Sequence, residues 1–193
     1  VQEMFGPLLK AAHPEVRDAW AYGEGGFHTL LVVSVGSRYG REGLKSAMGL
    51  LGDGQLSLTK MVVVVGPDTR ARDFRAVLRA IRRNFDPARD FILLPGTAMD
   101  TLDFSSFRMN LGSKMILDAT GDLGPAPSEA AFPPLSPEAL RGLGLEALGV
   151  EHWKVLEDTL LALRLPSRSG RGARKILEGV LARPEAGSLK MVV

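Results

Sequence analysis

SLTKMVVVV (57–65), DFRAVLRAIRRNFDPARDFILLPG (73–96) and LGSKMILDAT (111–120) fall within one run, Ser57–Thr120, that decides the fold. Met61–Val65 is a short continuous apolar run rich in valine, the pattern of a strand buried on both faces. Phe74, Val77, Leu78 and Ile81 recur at helical spacing and predict an amphipathic helix. Asp86–Pro87 ends that helix, because the residue before a proline is pushed out of the α region. Phe91–Leu94 predicts another strand, closed by Pro95–Gly96. Upstream, Thr29–Val35 (TLLVVSV) is a third valine-rich run. Leu44, Ala47, Met48 and Leu51 mark one face of a helix that Gly52 and Gly54 stop. The expected fold class is therefore α/β, a largely parallel sheet built of β-α-β-α-β with right-handed crossovers. Thr97–Thr120 shows no clean period and reads as a long irregular segment, of the kind that carries function or an interface.

The bulk numbers agree with a folded protein. The chain has 193 residues, 45% of them hydrophobic, and a formal net charge of only +2. No apolar run is long enough to span a bilayer, and VQEMFGPLLKAAHPEV has no basic leader region. A cytoplasmic location is the expectation. The 0 cysteines exclude disulfides, thiolate metal sites and a cysteine nucleophile. The start at Val1 and the end at LKMVV lead us to expect a piece of a longer polypeptide.

An internal repeat follows. TLLVVSVGSRYGREGLKSAMGLLGDGQLSLTKMVV from Thr29 matches TLLALRLPSRSGRGARKILEGVLARPEAGSLKMVV from Thr159 without gaps. Thr29/Thr159, Ser37/Ser167, Arg38/Arg168, Gly49/Gly179 and Lys60/Lys190 agree, which predicts a partial second β-α-β copy. Gly121–Pro137 is rich in Pro, Ala, Gly and Ser and reads as a linker, followed by a short helix in 137–148. The expected division is residues 1–127 as one α/β domain and 128–193 as linker plus truncated repeat. The second copy then has to complete its sheet against the first domain or another chain.

Several pieces in order carry a family resemblance: GPLL (6–9), HPEV (13–16), EGGFHTLLVVSV (24–35), LTK before the valine run, DPARD (86–90), PGT followed by LDFSS (95–106), and GSKM with LDAT (112–120). Together they resemble the C-terminal domain of the UbiD-like decarboxylases. The tail beyond about Ser128 resembles the longer, menaquinone-linked members. The resemblance implies a carboxy-lyase that removes carboxylate from an aromatic or unsaturated acid, of the quinone-biosynthesis type. Prenylated FMN and a divalent metal would belong to the intact enzyme, with neither bound by this chain alone. The glutamate–arginine–glutamate network of the family belongs to its N-terminal domain, and no segment here matches it. No catalytic residue and no metal ligand is thus expected in this chain. The expectation is an assembly and active-site-closing domain, inactive by itself. Its partners would be the N-terminal flavin-binding domain and further copies of itself.

Within the resemblance, Lys60 is the cofactor-binding candidate, a flexible point charge for the flavin phosphate. The alternative is a lysine that snorkels from a strand end, since Lys190 occupies the same place in the repeat. Thr97, Ala98 and Met99 are the expected substrate-loop residues, on a loop taken to leave the carboxyl end of a parallel strand, where ligands bind in such sheets. Asp100 and Asp103 have the alternative of capping turns. LGSKMILDAT reads as packing and interface, so Lys114 has no catalytic role.

Other classes gain less support. Arg72, Arg75, Arg79 and Arg82 form a basic helix face, but without an aromatic platform it reads as solvated, and no nucleic-acid partner is expected. EGGFH precedes a strand and is no dinucleotide fingerprint, and neither a phosphate-binding loop nor a nucleophile elbow occurs. His13, His28 and His152 lack ligand spacing. The competing reading is a non-catalytic oligomerisation or partner-binding protein derived from this fold.

Overall fold

A computed structural model describes residues 2–26, 29–103, 106, 108–124, 133–166 and 170–193. His28, Ser167, Arg168 and residues 125–132 of the linker read from the sequence lie outside the described residues. The chain divides into two compact units, Val1–Ala126 and Pro127–Val193.

The first unit runs α1 (Gln2–Ala12), β1 (Val16–Ala21), β2 (Leu30–Val35), α2 (Glu42–Leu51), β3 (Met61–Val65), α3 (Phe74–Asn84), α4 (Pro87–Asp90), β4 (Phe91–Ala98) and β5 (Leu111–Ala119). Its five-stranded sheet has the order β1-β2-β3-β5-β4. Strands β2, β3 and β5 are parallel, while β1 and β4 join the two edges antiparallel. The sheet is thus mixed, with a parallel centre, and the expected β-α-β-α-β arrangement needs two corrections. The strand at Phe91 is not the third parallel strand. Its partner is β5, which lies in the segment read as irregular, and the two form an antiparallel pair joined through residues 99–110. The misreading has a physical cause. In LGSKMILDA the lysine interrupts the apolar run, yet it is buried with hydrogen bonds to main-chain oxygens.

Alternation places the helices. Leu31, Val33, Val35, Val62, Val64 and Ile116 share one face and pack with Ala47, Leu50 and Leu51 of α2. Val63 and Leu117 point the other way, toward α3, whose Val77, Leu78 and Ile81 are buried. The α2 stripe is rotated from the one expected: Leu50 is fully buried, whereas Met48 is 48% exposed. Asp73 caps α3 by accepting from the Ala76 N–H at 3.0 Å, and Asp86 does the same for α4 from the Ala88 N–H.

The second unit has α5 (Pro137–Gly142), β6 (His152–Leu156), β7 (Leu160–Arg164), α6 (Gly170–Leu181) and β8 (Met191–Val192). Strand β6 is antiparallel to β7 and β7 is parallel to β8, the same pattern as β1, β2 and β3. Its core gathers Leu143, Leu145, Val150, Leu161, Val180 and Leu189.

Candidate functional site

Strand direction decides which groups share an edge. Strand β3 begins at Met61, so Lys60 stands at the amino edge of the parallel strands. Because β4 runs the opposite way, its carboxyl end and the segment after it reach that same edge. A parallel β4 would have sent Thr97 and Met99 to the far side of the sheet from Lys60. The antiparallel pairing corrects the expectation that this loop leaves the carboxyl edge.

The groups meet directly. The Lys60 ammonium donates to Asp103 Oδ2 at 2.8 Å, and the Ser106 hydroxyl donates to the same oxygen at 2.6 Å. The side chains of Lys60 and Asp103 are only 17% and 9% exposed. Of the two acids expected to cap turns, Asp100 does so, accepting from the Leu102 N–H at 3.0 Å. Asp103 instead ties the loop to the start of β3.

A bulge sets the phase of the loop. The β4–β5 register shifts between Pro95 and Thr97, where Gly96 has φ +68°. The extra residue adopts the left-handed conformation that glycine takes without strain. Before it, Ile92 and Leu94 pair with Ile116 and Lys114 on the α2 side; after it, Thr97 pairs with Gly112 and joins that side. Thr97 Oγ1 donates to the Leu94 carbonyl at 3.5 Å, Ala98 is exposed, and Met99 is 4% exposed. At Gly112 an added Cβ would come within 2.5 Å of Ser106 Oγ and 2.8 Å of Met99 Cγ, so the loop lies directly on this residue.

Beneath the loop sits Lys114, which sequence reasoning left as packing. It is 5% exposed, and its ammonium donates to the carbonyls of Ser57 at 2.6 Å and Thr59 at 2.8 Å, with Met99 Sδ at 3.8 Å. Burial pushes its pKa below the ordinary lysine value, against the pull of Asp103. The carbonyls it holds belong to the turn that delivers Lys60. Period-2 counting through Gly112, Lys114 and Ile116 was the signal that could have found it.

The carboxyl edge carries different chemistry. Arg41 lies 3.1 Å from Asp90 and 3.3 Å from Asp118, and it donates to the Arg89 carbonyl at 3.0 Å. Glu42 is wholly buried, accepting from the Arg38 guanidinium and from the Arg38 N–H at 2.6 Å. Those hydrogen bonds hold its pKa down at about 2. This network fastens α2 to the strands and was not legible as spacing.

Lys60 meets a phosphate only by sharing or displacing Asp103, which already compensates its charge. It fits as one donor of a site completed by other groups. Among the described residues no three His, Asp or Glu side chains gather as metal ligands. No described helix is long and apolar enough to cross a membrane.

Residues 1–119 match the family model of the 3-octaprenyl-4-hydroxybenzoate carboxy-lyase C-terminal domain. The chain is 42% identical over 121 residues to a subunit of the 4-hydroxybenzoate decarboxylase of Chlamydia pneumoniae, covering 63% of this chain and 21% of that protein. An uncharacterized protein of Chlamydia trachomatis is 37% identical over 174 residues, covering 86% of this chain and 28% of its own length. The chain therefore spans about a fifth to just over a quarter of these relatives. In fold it is similar to the UbiD-class enzyme HmfF of Pelotomaculum thermopropionicum in complex with FMN, with a TM-score of 0.55, 24% identity, and coverage of 62% of this chain and 26% of that one.

Proposed function

The chain belongs to the UbiD-like carboxy-lyase family as its C-terminal domain, and from that premise we propose that it closes and assembles the active site of a longer decarboxylase. The observation that carries this reading is the meeting of Lys60, Asp103, Ser106, Met99 and Lys114 at one sheet edge, within the matched residues. The substrate class is an aromatic or unsaturated carboxylic acid, as in quinone biosynthesis, and the protein works in the cytoplasm as a homo-oligomer. Loss of carboxylate needs an electron sink, which prenylated FMN supplies when bound. That group and its divalent metal sit on an N-terminal flavin-binding domain.

In this reading Lys60 has two uses. Its ammonium anchors the loop through Asp103, and it offers a donor to the flavin phosphate when the domains close. Thr97, Ala98 and Met99 border the substrate, and Lys114 holds the main chain beneath them. This chain moves no proton and makes no bond. Its contribution is placement and the exclusion of water.

The test uses the full-length protein that contains this chain, reconstituted with prenylated FMN and assayed for carbon dioxide release from aromatic acids. The intact protein should release it, and this chain alone should not. Lys60→Met in the intact protein should reduce flavin retained after gel filtration, while Asp103→Asn should expose the 99–110 segment to protease. Activity of the isolated chain, or unchanged flavin retention in Lys60→Met, would overturn the corresponding part.

A further inference from the structure

At the carboxyl edge of β2 and β3, away from the loop site, lies a cavity of about 420 Å³ lined by Arg17, Asp18, Ser34, Thr69, Arg70 and Arg72, with Pro67. We propose that this cavity is a binding site for a small oxyanion, a phosphate or carboxylate group.

Its construction carries the argument. Ala71 is fully buried and held from two directions: its N–H donates to Asp18 Oδ2 at 2.9 Å, and its carbonyl accepts from the Tyr22 hydroxyl at 2.8 Å. Pinning this one residue fixes the arginines on either side of it. Arg72 is oriented further by the Trp20 ring, with its guanidinium carbon 4.6 Å from the ring centroid. Arg17 reaches the cavity from β1 and folds over Gly36, where a Cβ would come within 2.9 Å of its Nε. Ser34 forms the floor, its hydroxyl donating to the Gly66 carbonyl at 3.0 Å and joining the ends of β2 and β3.

Charge points the same way. Three arginines and one carboxylate residue line the concavity, and Asp18 already accepts from the N–H groups of Ala19 and Ala71. Among the described residues Arg17 and Arg70 have no carboxylate partner. Guanidinium forks match planar and tetrahedral oxyanions with paired hydrogen bonds. The volume lies at the small end of ligand pockets, roughly 300–1,000 Å³. The carboxyl ends of parallel strands are where open α/β sheets receive ligands. The site stands whether or not the carboxy-lyase reading holds.

The full chain is titrated with inorganic phosphate and, separately, with benzoate, at constant ionic strength, by calorimetry. The fluorescence of Trp20 is followed in a Trp153→Phe background. At least one ligand should saturate a single site, and Trp20 emission should change with the same midpoint. Tighter phosphate binding identifies a phosphorylated ligand, and tighter benzoate binding a carboxylate. Arg17→Gln/Arg70→Gln should weaken binding about tenfold or more, and the lysine pair should fall between. Circular dichroism checks the fold of each variant, with Arg70→Gln alone as the milder change. No saturable binding of either ligand, binding without a Trp20 response, or unchanged affinity in a folded arginine variant would overturn the site.

Discussion

The two copies of the β-β-α-β motif agree in backbone detail and differ in what surrounds one lysine. Each has a 3₁₀ turn before its last strand, at Gly54–Leu58 and Pro184–Ser188. Thr59 donates to the Leu56 carbonyl at 3.0 Å, and Leu189 to that of Ala186 at 3.0 Å. Met61 donates to the Thr29 carbonyl at 2.8 Å, and Met191 to that of Thr159 at 3.1 Å. The lysine just before the strand is therefore a property of the repeat. Among the described residues, the first copy has a further strand, β5, beside it, with Lys114 under the turn and Asp103 opposite Lys60, while the second sheet ends at β8. The alternative of a structural lysine explains why both copies have one. The flanking strand and loop explain why the first is held by an ion pair with Asp103.

Each copy holds one of the two tryptophans, Trp20 and Trp153, so their fluorescence can follow the unfolding of each unit separately. The largest expected effect is in the cores. Leu50 and Val180 are equivalent and fully buried. Leu50→Ala should cost about 2–5 kcal/mol on the Trp20 transition in denaturant and leave Trp153 in place. Val180→Ala should do the reverse, at about 2 kcal/mol. Equal shifts at both probes would break the separation. Next comes Lys114→Met, which strips the Ser57 and Thr59 carbonyls of their buried donor and should cost the first unit about 1–3 kcal/mol. A neutral result would mean that desolvating the ammonium cancels its bonds.

Smaller effects sharpen the comparison. Gly49 and Gly179 are equivalent helix positions where alanine gains up to about 1 kcal/mol in propensity. At Gly49 the new methyl meets His13 Cε1 at 3.3 Å, and at Gly179 it meets Leu148 Cδ2 at 2.8 Å. Thermal melts should show Gly49→Ala stabilising and Gly179→Ala close to neutral; the opposite order would refute the contacts. The finest distinction is acid sensitivity. Glu42 has its pKa held at about 2, below the ordinary 4.5, so the folded state favours its carboxylate. Its contribution is complete above about pH 4.5 and is lost as pH falls toward about 2. The second copy has Gly172 there. The Trp20 transition should weaken across that window in the native chain, and Glu42→Gln should flatten the slope.

Much of the fold was legible. The valine runs gave β2 and β3, the Phe74–Ile81 stripe gave α3, and the repeat gave the parallel pair β7 and β8. Strand β1 was missed because VRDAWA mixes charge with aromatic and small residues at an edge. Strand β5 was missed because a buried lysine looks polar in any sequence window. The direction of β4 was illegible because FILL is a continuous apolar run like those of the parallel strands, yet it lies at the sheet edge and pairs antiparallel with β5. Lys60, Thr97 and Met99 were named from family likeness. That they share an edge, with Asp103 and Ser106 between them, follows only from the reversed β4.

The single inserted residue at Gly96 behaves as a parity switch. Deleting it would exchange inside for outside from Thr97 onward, presenting Met99 to solvent and driving Ala98 inward, with no change in composition beyond one glycine. Anyone transplanting this loop between homologous scaffolds should therefore move residues 95 to 112 as one cassette.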